Sequence, residues 1–187
     1  MDDKATAASP GRSRFRKRFL GDRKGAVSIE FAMLAVPFTM LVMAILESCI
    51  SFAAQQIMAN ATDDLARQLR TGQLKTADAS QTEVYDRICD KLSIIVPNDC
   101  PGLYIDLKSY ATFAAAAAVK IKLTADRDLD TTGFAVAPGP SESKNMLRVF
   151  YKWPVMLDLM RKTMSNLKDD KTLLFSTVTW QNEPFED

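Results

Sequence analysis

The chain has 187 residues, with 24 Lys/Arg against 23 Asp/Glu for a formal net charge of +1, three cysteines and no histidine. The lack of histidine excludes Ser-His and Cys-His nucleophile systems, and without a CxxC pair the cysteines do not form a zinc site. Residues 1–25 hold eight Lys/Arg and three Asp, net +5, leaving 16 basic and 20 acidic residues, net −4, for the remainder. This basic stretch has no interleaved base-reading residues, which argues against a nucleic-acid arm.

An apolar run of 21 residues, Ala26 to Leu46, follows, and Glu30 is its only ionisable group. A helix rising about 1.5 Å per residue crosses a hydrocarbon core of roughly 30 Å in that length. Positive charge beside a span stays cytoplasmic, so the C-terminal region is predicted to be exported. A carboxylate costs about 2.5–3.5 kcal/mol at mid-bilayer on insertion scales and less near an interface, so a retained Glu30 calls for a partner or a purpose. A cut between Gly25 and Ala26 would create an α-amino group one helical turn from Glu30, and neighbouring helices can then pair one chain's Glu30 with another's amine. Other readings compete. A signal peptide has a shorter apolar core than this run. A lipoprotein signal ending at Cys49 is spoiled by Glu47, and an uncut membrane anchor has the same hydropathy.

Past Leu46 the helix is predicted to continue to a stop at Gly72, with Ile57, Met58, Ala61, Leu65 and Leu69 at three- and four-residue steps. Pro37 should kink or loosen its first half. A second helix is predicted over 79–94. Cys89 and Cys100 bracket a short loop and leave two readings, a disulfide in an oxidising compartment or two unpaired buried thiols. Strand alternation follows at Leu103 to Leu107, Val119 to Leu123 and Leu147 to Trp153, and Leu173 to Trp180 is rich in β-branched residues. A short helix is expected over 155–167 after Pro154. Ala114 to Ala118 reads as a helical turn or a small-residue strand face. About 115 residues remain after Gly72, enough for one core but not two, so the exported part is predicted to be a single α+β domain with an antiparallel sheet packed on the helix.

Residues that could carry chemistry are sparse. Ser143-Lys144 lies in a polar loop with diverging side chains. Asp126, Asp128 and Asp130 begin like a calcium loop, but Thr131 and Ala137 stand where glycine and glutamate are needed, so a solvated turn is the default. Tyr151, Trp153, Trp180 and Phe185 are either a ligand-binding aromatic patch or core, and period-two aromatics favour core.

The junction Lys24-Gly25-Ala26-Val27-Ser28-Ile29-Glu30-Phe31 resembles the class III prepilin site of type IV pilins. Glu30-Phe31-Ala32 with Pro37, Gln55-Gln56, Ala66-Arg67, Thr71-Gly72, the segment from Arg148 to Pro154 and Asn182-Glu183-Pro184-Phe185 resemble the TadE-like minor pilins of the tight-adherence (Flp) pilus system. The major Flp pilin has Glu-Tyr at the junction and is far shorter, so Glu30-Phe31 favours the minor-component branch. The resemblance implies a pilin-like fold with a basic cytoplasmic leader (1–25), a transmembrane helix (26–46), a helical stalk (47–72) and an exported domain (73–187). It also implies cleavage between Gly25 and Ala26 and subunit docking through Ala26, Glu30 and Phe31. The implied partners are the membrane, a prepilin peptidase, other minor pilins, the major Flp pilin and the inner-membrane assembly platform, with no nucleic acid. The implied location is the inner membrane, single-pass, with a periplasmic C-terminal domain and entry into the pilus as an option. Neither a cofactor nor a catalytic activity is expected. The alternative is an uncut, membrane-tethered envelope binding or scaffold module.

Overall fold

The computed structural model describes residues 26–186; the basic leader and Gly25 lie outside the described residues. Contacts divide the chain into two compact units, 1–43 and 44–187. Helix α1 (Ala26–Arg70, 45 residues) contributes to both. In the first unit it is apolar and its assignment runs unbroken through Pro37. Thr39 Oγ1 donates to Ala35 O at 2.8 Å, which satisfies this hydroxyl inside the helix's own turn.

The second unit is built on the amphipathic half of α1. Ala54, Met58, Ala61, Leu65 and Leu69 are buried along one stripe, at the spacing that keeps side chains on one face. Thr62 lies in the same buried region and returns its hydroxyl to Met58 O at 2.7 Å. At the helix end, Gly72 adopts φ +69°, the left-handed conformation that glycine tolerates best. Helix α2 (Gln81–Leu92) starts at Ser80, whose side chain accepts from Glu83 N, and buries Val84, Ile88, Cys89 and Leu92.

Four strands complete the unit: β1 (Leu103–Tyr110), β2 (Val136–Ala137), β3 (Lys144–Pro154) and β4 (Lys171–Gln181), in the order β2-β1-β3-β4. β1 and β4 flank β3 antiparallel, with Asp106 opposite Arg148 and Phe150 opposite Phe175. One face of the sheet, carrying Leu103, Ile105, Leu107, Leu147, Val149, Tyr151, Trp153, Leu174 and Trp180, joins the buried stripes of α1 and α2 in one core. The other face carries Asp106, Arg148 and Phe150, and is partly covered by the β1–β3 connection, which includes α3 (Phe113–Ala117) and Phe134. A short helix, α4 (Asp158–Met164), and a 3-10 turn (Lys168–Asp170) link β3 to β4.

The α+β class is therefore as expected, but the sheet is mixed rather than antiparallel, because β2 runs parallel to β1. Val119 to Leu123 is also not a sheet strand. Its alternation is absorbed into a narrow hairpin in which Leu123 bridges Leu129, Asp130 N donates to Lys122 O and Thr124 N to Asp128 O, with Arg127 at φ 58° in the turn. The segment 155–167 is helical only over Asp158–Met164. The alanine run takes the helical alternative, capped by Thr112, whose side chain accepts from Ala115 N.

Candidate functional site

The feature that sets this chain apart is the surface of α1. Its first half buries almost nothing: Val27, Ile29, Phe31, Met33, Leu34 and Phe38 are all exposed, Phe31 by 72%. A soluble core helix hides one stripe, whereas a helix apolar on all sides needs lipid or other helices around it. By length and composition α1 can cross a membrane. Ala26 opens the helix, and exposed Glu30 follows one turn later, about 6 Å along the axis. These residues and Phe31 therefore share one end of an exposed apolar helix, while Gly25 lies outside the described residues.

Glu47, the next ionisable residue on α1, behaves differently. It is only 5% exposed. Its Oε1 accepts from Met156 N at 2.5 Å and Leu157 N at 3.3 Å, and Oε2 from Leu157 N at 3.2 Å. Leu157 is the N-cap residue of α4 and supplies no side-chain cap of its own, so Glu47, from a distant part of the chain, satisfies the N-cap N–H and the N–H just before it and places a negative charge at that helix start. Ser48 adds a contact to Met164 Sδ at 4.0 Å. Sequence reading used Glu47 only to reject a lipoprotein site. The signal available was a lone carboxylate in a stretch otherwise free of charge.

Cys89 and Cys100 form a disulfide with Cα atoms 5.8 Å apart. Tyr85 reinforces the loop, its hydroxyl 3.0 Å from both Asp99 O and Cys100 O. Burial, followed by the nearby Asp99 charge, raises the Tyr85 pKa above its ordinary value. Cys49 is a free, exposed cysteine.

Several of the remaining motifs serve the fold. Gln55 Nε2 donates to Phe175 O at 2.7 Å. The C-terminal Asn182-Glu183-Pro184-Phe185 segment closes on the end of α1. Glu183 N donates to Arg70 O at 2.9 Å, the Phe185 ring lies against Gly72, and Asn182 joins Trp180 Nε1 to the Gly139 and Pro140 carbonyls. Tyr151, Trp153 and Trp180 are buried core rather than an open aromatic patch. Ser143 Oγ donates to Pro140 O at 2.5 Å in a turn, while Lys144 begins β3. The acidic turn is occupied by the protein itself. Asp128 pairs with Lys152 Nζ at 2.6 Å, and Asp130 accepts from Thr132 N at 2.9 Å. The Lys152 hydrogen bond holds the Asp128 carboxyl below its ordinary value of 3.8. Burial pulls the Lys152 pKa down, but the hydrogen bond to Asp128, with the Tyr104 hydroxyl and the Asp128 charge, outweighs it and raises it overall; Lys152 Nζ also lies 4.9 Å from the centre of the Tyr104 ring.

Behind the sheet, Arg148 donates to buried Asp106 Oδ2 at 2.5 Å and 3.1 Å from its two nitrogens. Asp106 also accepts from Ala135 N at 3.1 Å, and Arg148 stacks over Phe134 and Phe150. This interaction pins the β1–β3 connection and was not read from sequence.

Among the described residues, these features define a membrane-length apolar helix leading into a disulfide-bonded α+β domain. More narrowly, the chain's N-terminal segment is TadE-like: the model of the TadE-like protein family matches residues 25–67, in agreement with the sequence resemblance. No curated protein and no solved structure matches the chain.

Proposed function

We propose that this chain is a minor pilin or pseudopilin of a tight-adherence pilus. In this reading residues 26–46 span the inner membrane, 1–25 stay cytoplasmic as a basic leader, 47–72 continue as a stalk and 73–187 form the periplasmic domain. A prepilin peptidase cuts between Gly25 and Ala26. Ala26, Glu30 and Phe31 then dock the helix against other minor pilins, the major pilin and the assembly platform. The role is structural, with no catalysis and no cofactor.

The observation that carries this reading is the exposed carboxylate of Glu30, the single charge on the exposed apolar first half of α1, within the TadE-like segment. Lipid penalises that carboxylate, and a cationic amine on a neighbouring helix relieves the penalty. The disulfide fits a domain delivered to an oxidising compartment.

The test is to express the chain with and without its prepilin peptidase and sequence the N-terminus of the membrane-bound product. A start at Ala26 only when the peptidase is present is expected. A start at Met1 or Asp2 in both cases removes processing and leaves a permanent anchor. In parallel, Glu30→Ala should insert normally yet reduce pilus number, and unchanged pilus counts would remove Glu30 from docking.

A further inference from the structure

Because the Glu47 carboxylate is turned onto Met156 and Leu157, it adds no charge to the outer surface of α1. Cys49, Ile50, Phe52 and Ala53 are exposed and uncharged, Phe52 by 75%. Past Glu30, the exposed surface of α1 therefore stays free of charge beyond Leu46 to Ala53. From Phe31 to Ala53 is 23 residues, about 35 Å of helix, longer than a hydrocarbon core of roughly 30 Å, so its far end reaches the headgroup layer. Met156, Leu157 and α4 are fixed beside Glu47 and Ser48. That level lies roughly 8–9 Å inside the end of the apolar surface.

We propose that the β3–β4 connection, Met156 with α4, is a foot immersed at the headgroup–acyl boundary of the periplasmic leaflet, with phospholipid as its occupant. This inference rests on the membrane-span reading above. Three features of the foot suit that boundary. Met156 is 60% exposed although apolar, and methionine is a flexible side chain that packs readily against irregular apolar surroundings. Met160 and Met164 are half-buried on the same short helix. The foot's charges are mixed: Arg161 pairs with Asp158 at 2.8 Å and lies 3.8 Å from Asp170, while Lys162 and Lys168 are exposed. Long cationic side chains reach headgroup phosphates from such a position while their stems stay in apolar surroundings. The commitment to lipid comes from continuity, since from Phe31 onward the exposed apolar surface of α1 passes the level of the foot with no exposed charge before Ala53.

The test uses the full chain reconstituted in vesicles of phosphatidylethanolamine and phosphatidylglycerol. Cys49→Ser removes the free thiol, and single nitroxide labels are placed at Met156→Cys, at Phe38→Cys within the span and at Phe113→Cys. Phe113 lies just past the end of β1 that pairs with Lys144, at the opposite end of β3 from Pro154. The readout is accessibility to oxygen against a water-soluble nickel chelate. Labels at 38 and 156 should both favour oxygen, with a ratio at 156 several-fold above that at 113. If 156 behaves like 113 while 38 remains in lipid, the foot is refuted and the span stands. If 38 is open to nickel, the span reading fails and the foot with it. A label at 156 shielded from both reagents would mean that protein covers the site, which also overturns the proposal.

Discussion

Glu47→Ala is the sharpest perturbation of this architecture. The substitution removes an acceptor that serves two backbone N–H groups, those of Met156 and Leu157, at distances of 2.5 to 3.3 Å. Hydrogen bonds to a charged acceptor contribute about 1.5–3 kcal/mol, and loss of a helix cap costs about 0.5–2 kcal/mol. Relief of the desolvation of a nearly buried carboxylate works in the opposite direction. Exposed Met156 also lets water reach the freed donors. The net loss should then be about 1–2 kcal/mol, with Glu47→Gln milder because its amide oxygen still accepts. For a chain of this size each kcal/mol shifts Tm by about 2–4 °C. Thermal unfolding of the full chain in detergent, followed by near-UV circular dichroism, gives the global number. Amide exchange at Met156, Leu157 and α4 gives the local one. The Ala variant should lose protection there while α2 keeps its own. Wild-type protection at Met156 and Leu157 in both variants would refute the capping role.

Reducing the Cys89–Cys100 bond opens a loop spanning a sequence separation of 11 and should cost about 3 kcal/mol on the chain-entropy model. Thermal unfolding with and without reductant measures it, and an unchanged Tm would show that the bond adds no stability. Asp106→Ala leaves the Arg148 guanidinium buried without its carboxylate and should cost about 3–5 kcal/mol. The double change to Asp106→Leu with Arg148→Met should cost less, and denaturant titration showing equal losses would contradict this. Asp128 has a folded pKa below 3.8, so its contribution is present above that value and disappears as pH falls through the folded one. Asp128→Asn should therefore flatten the acid limb of stability below about pH 4, and an unaltered limb in acid titration would remove the Lys152 pair as its cause.

The elements with a clear period were legible in the sequence. The apolar run and the stripe from Ala54 to Leu69 announced α1, and alternation announced β1 and β3, because one face of each element had to find the core. Pairing was not legible. Asp106 and Arg148 are 42 positions apart, and only the register of β1 on β3 brings them together. The same limit explains Val119 to Leu123, where alternation satisfied a strand pattern but the chain folded back on Leu129 before reaching the sheet. Glu30 stood out because nothing local satisfied it. Glu47 looked like an ordinary polar residue at the end of a span, since its partners, the Met156 and Leu157 amides, are backbone groups with no sequence signature.

The contrast between these two carboxylates on one helix bears on how subunits can assemble. Glu47 has its oxygens committed to Met156 and Leu157 within its own chain, so recruiting it to a neighbouring subunit would first require uncapping α4. Glu30 is exposed on the first full turn of the helix, beside the position where cleavage would release an amine. In the proposed packing, charge pairing through the apolar part of α1, residues 26–53, therefore falls to Glu30. Charge reversal separates the two roles. Glu30→Lys repels the new amine and should abolish pilus assembly while leaving the Tm of the domain unchanged. Glu47→Lys places a cation against amide donors and should lower the Tm. If Glu30→Lys destabilised the domain, or if Glu47→Lys left it unaltered, the division of labour between the two residues would be wrong.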